Sequence, residues 1–289
     1  MTVSPIAALR RLIPGLVTIL VSGAVSSPSV HAEETCPFRE WRSFKGTKIY
    51  HHKTQGAYFY VTDHVSIDAD GALKAYHPDD KGKNCLNDPH IGLDCLRHAG
   101  YPKTTWWQKV LVLDPKNRRR AYVQPSGPAE GFFLSKTWLN DPDASETDPA
   151  KYVDSTTVPY IVFPGEVYPQ MKGTGWKGDV GFAMNINNGN STAFIVADRG
   201  GGSDARLGEG SIALYEALGS KDPSPRTGLE KPIGENLFLV FPHSGKSAEH
   251  SWPRSQDEIA TQTDALLSAA GGLEAIQGCA KEFAKAKSE

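Results

Sequence analysis

This sequence lacks most of the signatures that mark a cofactor-dependent or metal-dependent enzyme. Its four cysteines include no CxxC pair, so neither a zinc ribbon nor a thioredoxin-like redox centre is expected. HExxH is absent, and His51, His52, His64 and His77 fall at no ligand-like spacing, so they read as solvated or structural histidines. No G-x-S-x-G provides a serine nucleophile elbow. Basic residues are not in excess (31 Lys and Arg against 33 Asp and Glu), so nothing points to nucleic acid. A hydrophobic content of 39% excludes a multi-span membrane protein. Internal repeats and long linkers are also missing, which favours a single domain.

What is present begins with an unusual N-terminus. Arg10 and Arg11 precede the apolar run Leu12 to Val25, and Val30-His31-Ala32 resembles a small-x-small cleavage site. Residues 1–32 therefore read as a secretory signal peptide, too short in its apolar core to span a bilayer. Its removal takes away two arginines and no acid, so the formal charge moves from −2 to −4. The mature protein is expected to be extracellular, or periplasmic in a Gram-negative source. All four cysteines follow the cleavage site. Cys85–Cys95 would close a short loop, and Cys36–Cys279 would tie the two ends of the mature chain, since domain termini often lie close together.

Short strand-like runs separated by Gly and Pro turns dominate the middle of the chain. "AYFYVTDHVSIDADGALKAYH" alternates around a turn at Asp70-Gly71, "VPYIVFP" and "LFLVFP" read as buried strands, and "DVGFAMNI" and "STAFIVAD" flank the turn Asn187–Asn190. "WWQKVLVLDP" and "AYVQPSGPAEGFFLS" read as two further strands, and "IGLDCLRHAGY" as a short helix. "SIALYEALG" is helical with Gly219 past its end, and the chain is helical from Ser255, broken at Gly271-Gly272. The expected class is a β-rich α+β fold. One domain over residues 33–253 holds a mostly antiparallel barrel or sheet, and a helical segment, 254–289, packs on it.

Several chemical motifs fail on spacing. Asp68-Ala-Asp70-Gly71 has neither the third acid nor the terminal glutamate of a calcium loop, so it reads as a turn. "HSGKS" at 243–247 lacks the upstream glycine of a phosphate loop. Gly208-Glu209-Gly210-Ser211-Ile212-Ala213 matches G-x-G-x-x-A, but about ten residues separate it from the strand it would have to follow directly. What survives is a pair of acids. Asp198 ends the apolar run Phe194–Ala197 and Glu209 precedes a helix, with a glycine-rich connector between them. Two carboxylates on separate rigid elements suit glycoside hydrolysis, one protonating the leaving oxygen and the other activating water. The plainer alternative makes Asp198 a turn cap and Glu209 a helix cap.

"VADRGGG…LGEGSIALYEALG" resembles the signature of the fungal-type chitosanases, glycoside hydrolase family 75. "SIDADGALKAYHPDD", "GLDCLRHAGYP…WW", "YVDSTTVPYIVFP" and "LVFP" follow in the family's order, so the likeness covers about residues 58–243. It implies a secreted, monomeric endo-enzyme that hydrolyses β-1,4-linked glucosamine polymers with inversion, without a metal or organic cofactor. Asp198 and Glu209 would be catalytic, with Asp204 in the loop as a competing partner for Glu209. A helix N-terminus would keep Glu209 ionised as the base, whereas an apolar setting would make it the acid. A cationic polymer calls for acids and stacking rings, for which Asp79, Asp80, Trp106 and Trp107 are candidates by chemistry. The rivals are a peptidoglycan hydrolase or lytic transglycosylase, and a non-hydrolytic expansin-like carbohydrate-binding module.

Overall fold

The computed structural model describes residues 36–81, 85–248 and 250–285, one compact unit. The expected signal segment lies outside the described residues. Among the described residues no helix is long and apolar enough to cross a membrane.

Among the described residues, eleven strands and four α-helices build a β-rich fold. In chain order the strands are β1 (Phe38–Phe44), β2 (Thr47–His52), β3 (Tyr58–Thr62), β4 (Ser66–Asp68), β5 (Leu113–Asp114), β6 (Asn117–Ala121), β7 (Tyr160–Pro164), β8 (Val180–Asn185), β9 (Ser191–Gly200), β10 (Glu209–Ser211) and β11 (Asn236–Val240). The helices are α1 (Trp107–Val110), α2 (Ile212–Ala217), α3 (Gln256–Ala269) and α4 (Gly272–Lys285). Nine strands form one sheet in the order β1-β2-β3-β11-β8-β9-β7-β10-β4, and β5 and β6 pair separately. The sheet is mostly antiparallel, but β7 runs parallel to β9, and β10 parallel to β4.

The sheet is buried on both faces, which is why its central strands read as continuous apolar runs rather than alternating ones. Leu237 and Leu239 of β11 enter a core with Phe59, Phe182 and Ile195, sealed by Ile259 and Leu267 of α3 and Ile276 of α4. Phe238 and Val240 point the other way, against Tyr60, Phe194 and Leu214 of α2. A capping box starts α3, with the Ser255 hydroxyl accepting from the Glu258 N–H and Glu258 accepting from the Ser255 N–H.

Three local expectations are corrected. Residues 91–101 form turns rather than a helix, because Asp94, Gly92 and Cys85 are tied to other segments of the chain (below). "WWQKVLVLDP" contributes the short helix α1 and only the two-residue β5, since Trp107 and Leu111 must both enter a small core with Tyr76 and Phe133. Nor does Asp70-Gly71 close a hairpin: β4 stops at Asp68, and its partner is β10. Both disulfides form as expected, Cys36–Cys279 and Cys85–Cys95. Cys36–Cys279 fastens α4 to the segment just before β1 across a sequence separation of 243. Replacing both cysteines with serine should lower unfolding free energy by about 2–5 kcal/mol. Denaturant titration of the double variant checks this.

Candidate active site

Four neighbouring strands, β9-β7-β10-β4, bring the acids together. Strand β7 is the middle reference. Val162 lies opposite Asp198 of β9, and Ile161 opposite Gly210 of β10, which sets Glu209 opposite Val162 one residue on. Directly paired residues share a sheet face, so Asp198 and Glu209 flank Val162 at one level, separated by two strand spacings, about 10 Å between backbones. The β7–β9 register slips by one residue between Ile161 and Val162. Without that bulge Val162 would face Ala197, and Asp198 would point to the opposite face.

The G-E-G-S segment is locked by its serine. Ser211 caps α2 by accepting from the Leu214 N–H at 3.1 Å, also accepts from the Tyr160 N–H, and donates to the Val158 carbonyl. Gly208 permits the approach of β10 to residue 64. It has φ +109°, and a Cβ there would fall 2.1 Å from the His64 carbonyl oxygen. Glu209 is therefore a strand residue of β10 rather than part of a loose lead into the helix.

A cleft of about 700 Å³ opens over these strands, lined by Asp68, Asp70, Asp94, His98, Trp106, Asp198 and Glu209 among others. Asp198 is 8% exposed, and its Oδ1 accepts from the backbone N–H groups of Trp138 (3.1 Å) and Arg199 (2.7 Å). Asp68 and Asp70 were not singled out as site residues by their sequence. Carboxylate oxygens of Asp68, Asp70 and Asp198 lie within 4.8 Å of one another. The Tyr160 hydroxyl sits 3.1 Å from Asp68 Oδ2, and the Tyr76 hydroxyl donates to Asp70 Oδ1 at 2.9 Å. The available signal was the DxD pattern at a strand end. It reads as an ordinary turn because its partner, Asp198, is distant in sequence.

Burial, with crowding behind it, raises Asp68, Asp70, Asp198 and Glu209. Burial pushes Glu209 up to about 8, helped by the charges of Asp68 and Asp94. Burial pushes Asp68 up to about 6 against the bonds it accepts, and lifts Asp70 and Asp198 well above the carboxylate range. Three carboxyls this close share their protons rather than titrating one by one. Their spacing would also admit a hard divalent cation. The oxygens are already supplied by two tyrosine hydroxyls and by backbone N–H donors, a set that suits shared protons. Cys85 and Cys95 lie near His98, but as a disulfide they offer no thiolate to a metal.

The sequence-derived candidates separate. Trp106 lines the cleft, whereas Trp107 is 6% exposed and packs edge-on against Tyr101 in the small core. Asp80 is not available to a substrate. It is 1% exposed, and its carboxylate binds Arg226 at 2.6 Å and accepts from the Ile91 and Gly92 N–H groups. Arg226 also donates to the Gly92 and Asp94 carbonyls, so this ion pair clasps the disulfide loop that carries Asp94. Asp79 is exposed beside His77 and does not line the cleft. Asp204 is exposed at the loop tip beyond Gly202, also outside the cleft lining, whereas Asp198 shares that lining with Glu209, Asp68, Asp70 and Asp94. Asp80 is lost to the site because an arginine 146 residues away in sequence takes its carboxylate.

No protein-family model and no curated protein matches this chain. The chitosanase resemblance thus rests on the motif residues and on the chemistry of the cleft.

An acid with a higher pKa folded than unfolded binds more protons in the folded state. Stability then falls as pH rises from its ordinary value of 4.5 toward its folded value of about 8. Glu209→Gln should therefore melt higher than the unsubstituted protein at pH 8, by on the order of 2–4 °C. The gain should vanish near pH 4. Differential scanning calorimetry at both pH values measures it.

Proposed function

We propose that this chain is a secreted endo-acting glycoside hydrolase that cleaves β-1,4-glucosaminyl linkages of chitosan-like polymers by inversion. The observation that carries the reading is the placement of Asp198 and Glu209 on one sheet face, flanking Val162, with an open cleft above them. Backbones about 10 Å apart allow side chains to converge toward the roughly 6.5–9.5 Å that leaves room for a water beside the sugar. Two disulfides fit an oxidising compartment and support export.

In this reading Glu209 is the general acid. Its burial keeps the proton on at neutral pH, ready for the glycosidic oxygen as the C1–O bond breaks. Asp198 is the general base and takes a proton from the water that attacks C1 from the opposite side. Burial holds a proton on Asp198, so it serves as base only once the aspartate group has given up a proton and left the charge there, facing two backbone N–H donors. Asp68 and Asp70 keep the count of protons beside Asp198 adjustable, and Asp68 raises Glu209 by its charge. Solvent then returns a proton to Glu209 and removes one from Asp198.

Purified mature protein should release reducing ends from chitosan, and Asp198→Asn and Glu209→Gln should each lower the rate by about 10²–10⁴. Full activity in Glu209→Gln would overturn the assignment. Cleavage of peptidoglycan alone would favour the lytic reading, and binding without cleavage the module reading. The pH profile of kcat/KM should be bell-shaped, with an alkaline limb near 8, where Glu209 loses its proton, and an acid limb shifted above the ordinary carboxylate range, where the aspartate group gives up the proton that frees Asp198. Asp68→Asn removes a negative charge that raises Glu209, so it should move the alkaline limb downward. Steady-state kinetics from pH 4 to about 10 would resolve both limbs.

A further inference from the structure

One ion pair in the cleft is not used by the proposed chemistry. Lys109 stands on α1 in the wall formed by the small core, and Glu166 follows Pro164 and Gly165 at the end of β7. Both line the cleft, and Lys109 Nζ lies 2.5 Å from Glu166 Oε1, so the pair reaches from one wall to the other. The side chains are 73% and 53% exposed. Ion pairs this open to water exchange readily. The nearby cation Arg199 has its guanidinium 4.7 Å from the centre of the Trp138 ring. Glu166 is thus a carboxylate facing the cleft and already seating a primary ammonium.

Beside Lys109, Trp106 offers an indole that is 43% exposed. Its ring is fixed against Gly100, where a Cβ would come within 2.4 Å of it, so no larger residue could stand beneath the ring. A flat ring next to an ammonium-binding carboxylate matches an amino sugar, which presents an apolar ring face and a charged amine. An acetylated sugar carries no charge with which to replace Lys109.

We propose that Glu166 is an ammonium-binding residue of the substrate cleft, occupied in the free protein by the chain's own Lys109, which a glucosaminyl ammonium displaces as its ring settles on Trp106. The inference rests on the chitosanase reading for its ligand, and it assigns selectivity for deacetylated units to one carboxylate. Lys109 acts as an internal competitor, so the cleft is less open to weak cations than its acid content implies.

The test is binding of glucosamine hexamer by isothermal titration calorimetry, at fixed ionic strength and in a Glu209→Gln background that blocks cleavage. Adding Glu166→Gln should raise Kd about tenfold, the effect of one charge-assisted contact. Adding Lys109→Ala should lower it about threefold, since the competitor is gone. Both side chains are exposed, and circular dichroism confirms folding of each variant. An unchanged Kd in the Glu166→Gln variant, or weaker binding in the Lys109→Ala variant, overturns the inference while leaving the enzyme reading intact if the unsubstituted protein cleaves the hexamer. Neither binding nor cleavage of the hexamer by the unsubstituted protein overturns both.

Discussion

Burying several carboxylates in one place is the constraint on which this structure turns. Each acid loses water on entering the cleft, and each repels its neighbours. Chain connectivity does nothing to keep them together, because Asp68, Asp198 and Glu209 come from three separate strands. Sheet register does it. With β7 between β9 and β10, and β4 beyond, the three are held at neighbouring positions by backbone hydrogen bonds. The one-residue slip in the parallel β7–β9 pair turns Asp198 to the side where Val162 and Glu209 face the cleft.

The surroundings offset the repulsion with hydrogen-bond donors more than with cations. Tyr160, Tyr76 and the N–H groups of Asp70, Trp138 and Arg199 all serve the aspartates. Arg226 lies farther out, paired with Asp80 and Asp88. Burial therefore raises the pKa of each acid in the floor, which favours retaining a proton for delivery. That is the property the proposed general acid needs, and it opposes stability at higher pH.

Much of this was legible in the sequence, where information was local. The apolar runs of β7, β8, β9 and β11 gave buried strands. Asn187–Asn190 gave the β8–β9 turn, and Ser211 with Gly219 bounded α2. The cysteine pairs followed from proximity and from the closeness of chain ends. What stayed hidden depended on non-local pairing. The three-residue β4 and β10 are too short to carry a pattern, so the alignment of the DxD at 68–70 with Glu209 is invisible until the sheet forms. Asp80 read as a substrate-binding acid because Arg226 enters its surroundings from far along the chain. Of the two adjacent tryptophans, only packing decides that Trp107 enters the core while Trp106 faces the cleft.

In the proposed mechanism Glu209 holds its proton at neutral pH beside a cluster of other acids. Carbon NMR of protein labelled at the glutamate side-chain carboxyl tests it directly, with the Glu209 signal assigned by its loss in Glu209→Gln. A titration midpoint near 8 is predicted. A midpoint near the ordinary value of 4.5 would mean that Glu209 is ionised at neutral pH and would contradict the account.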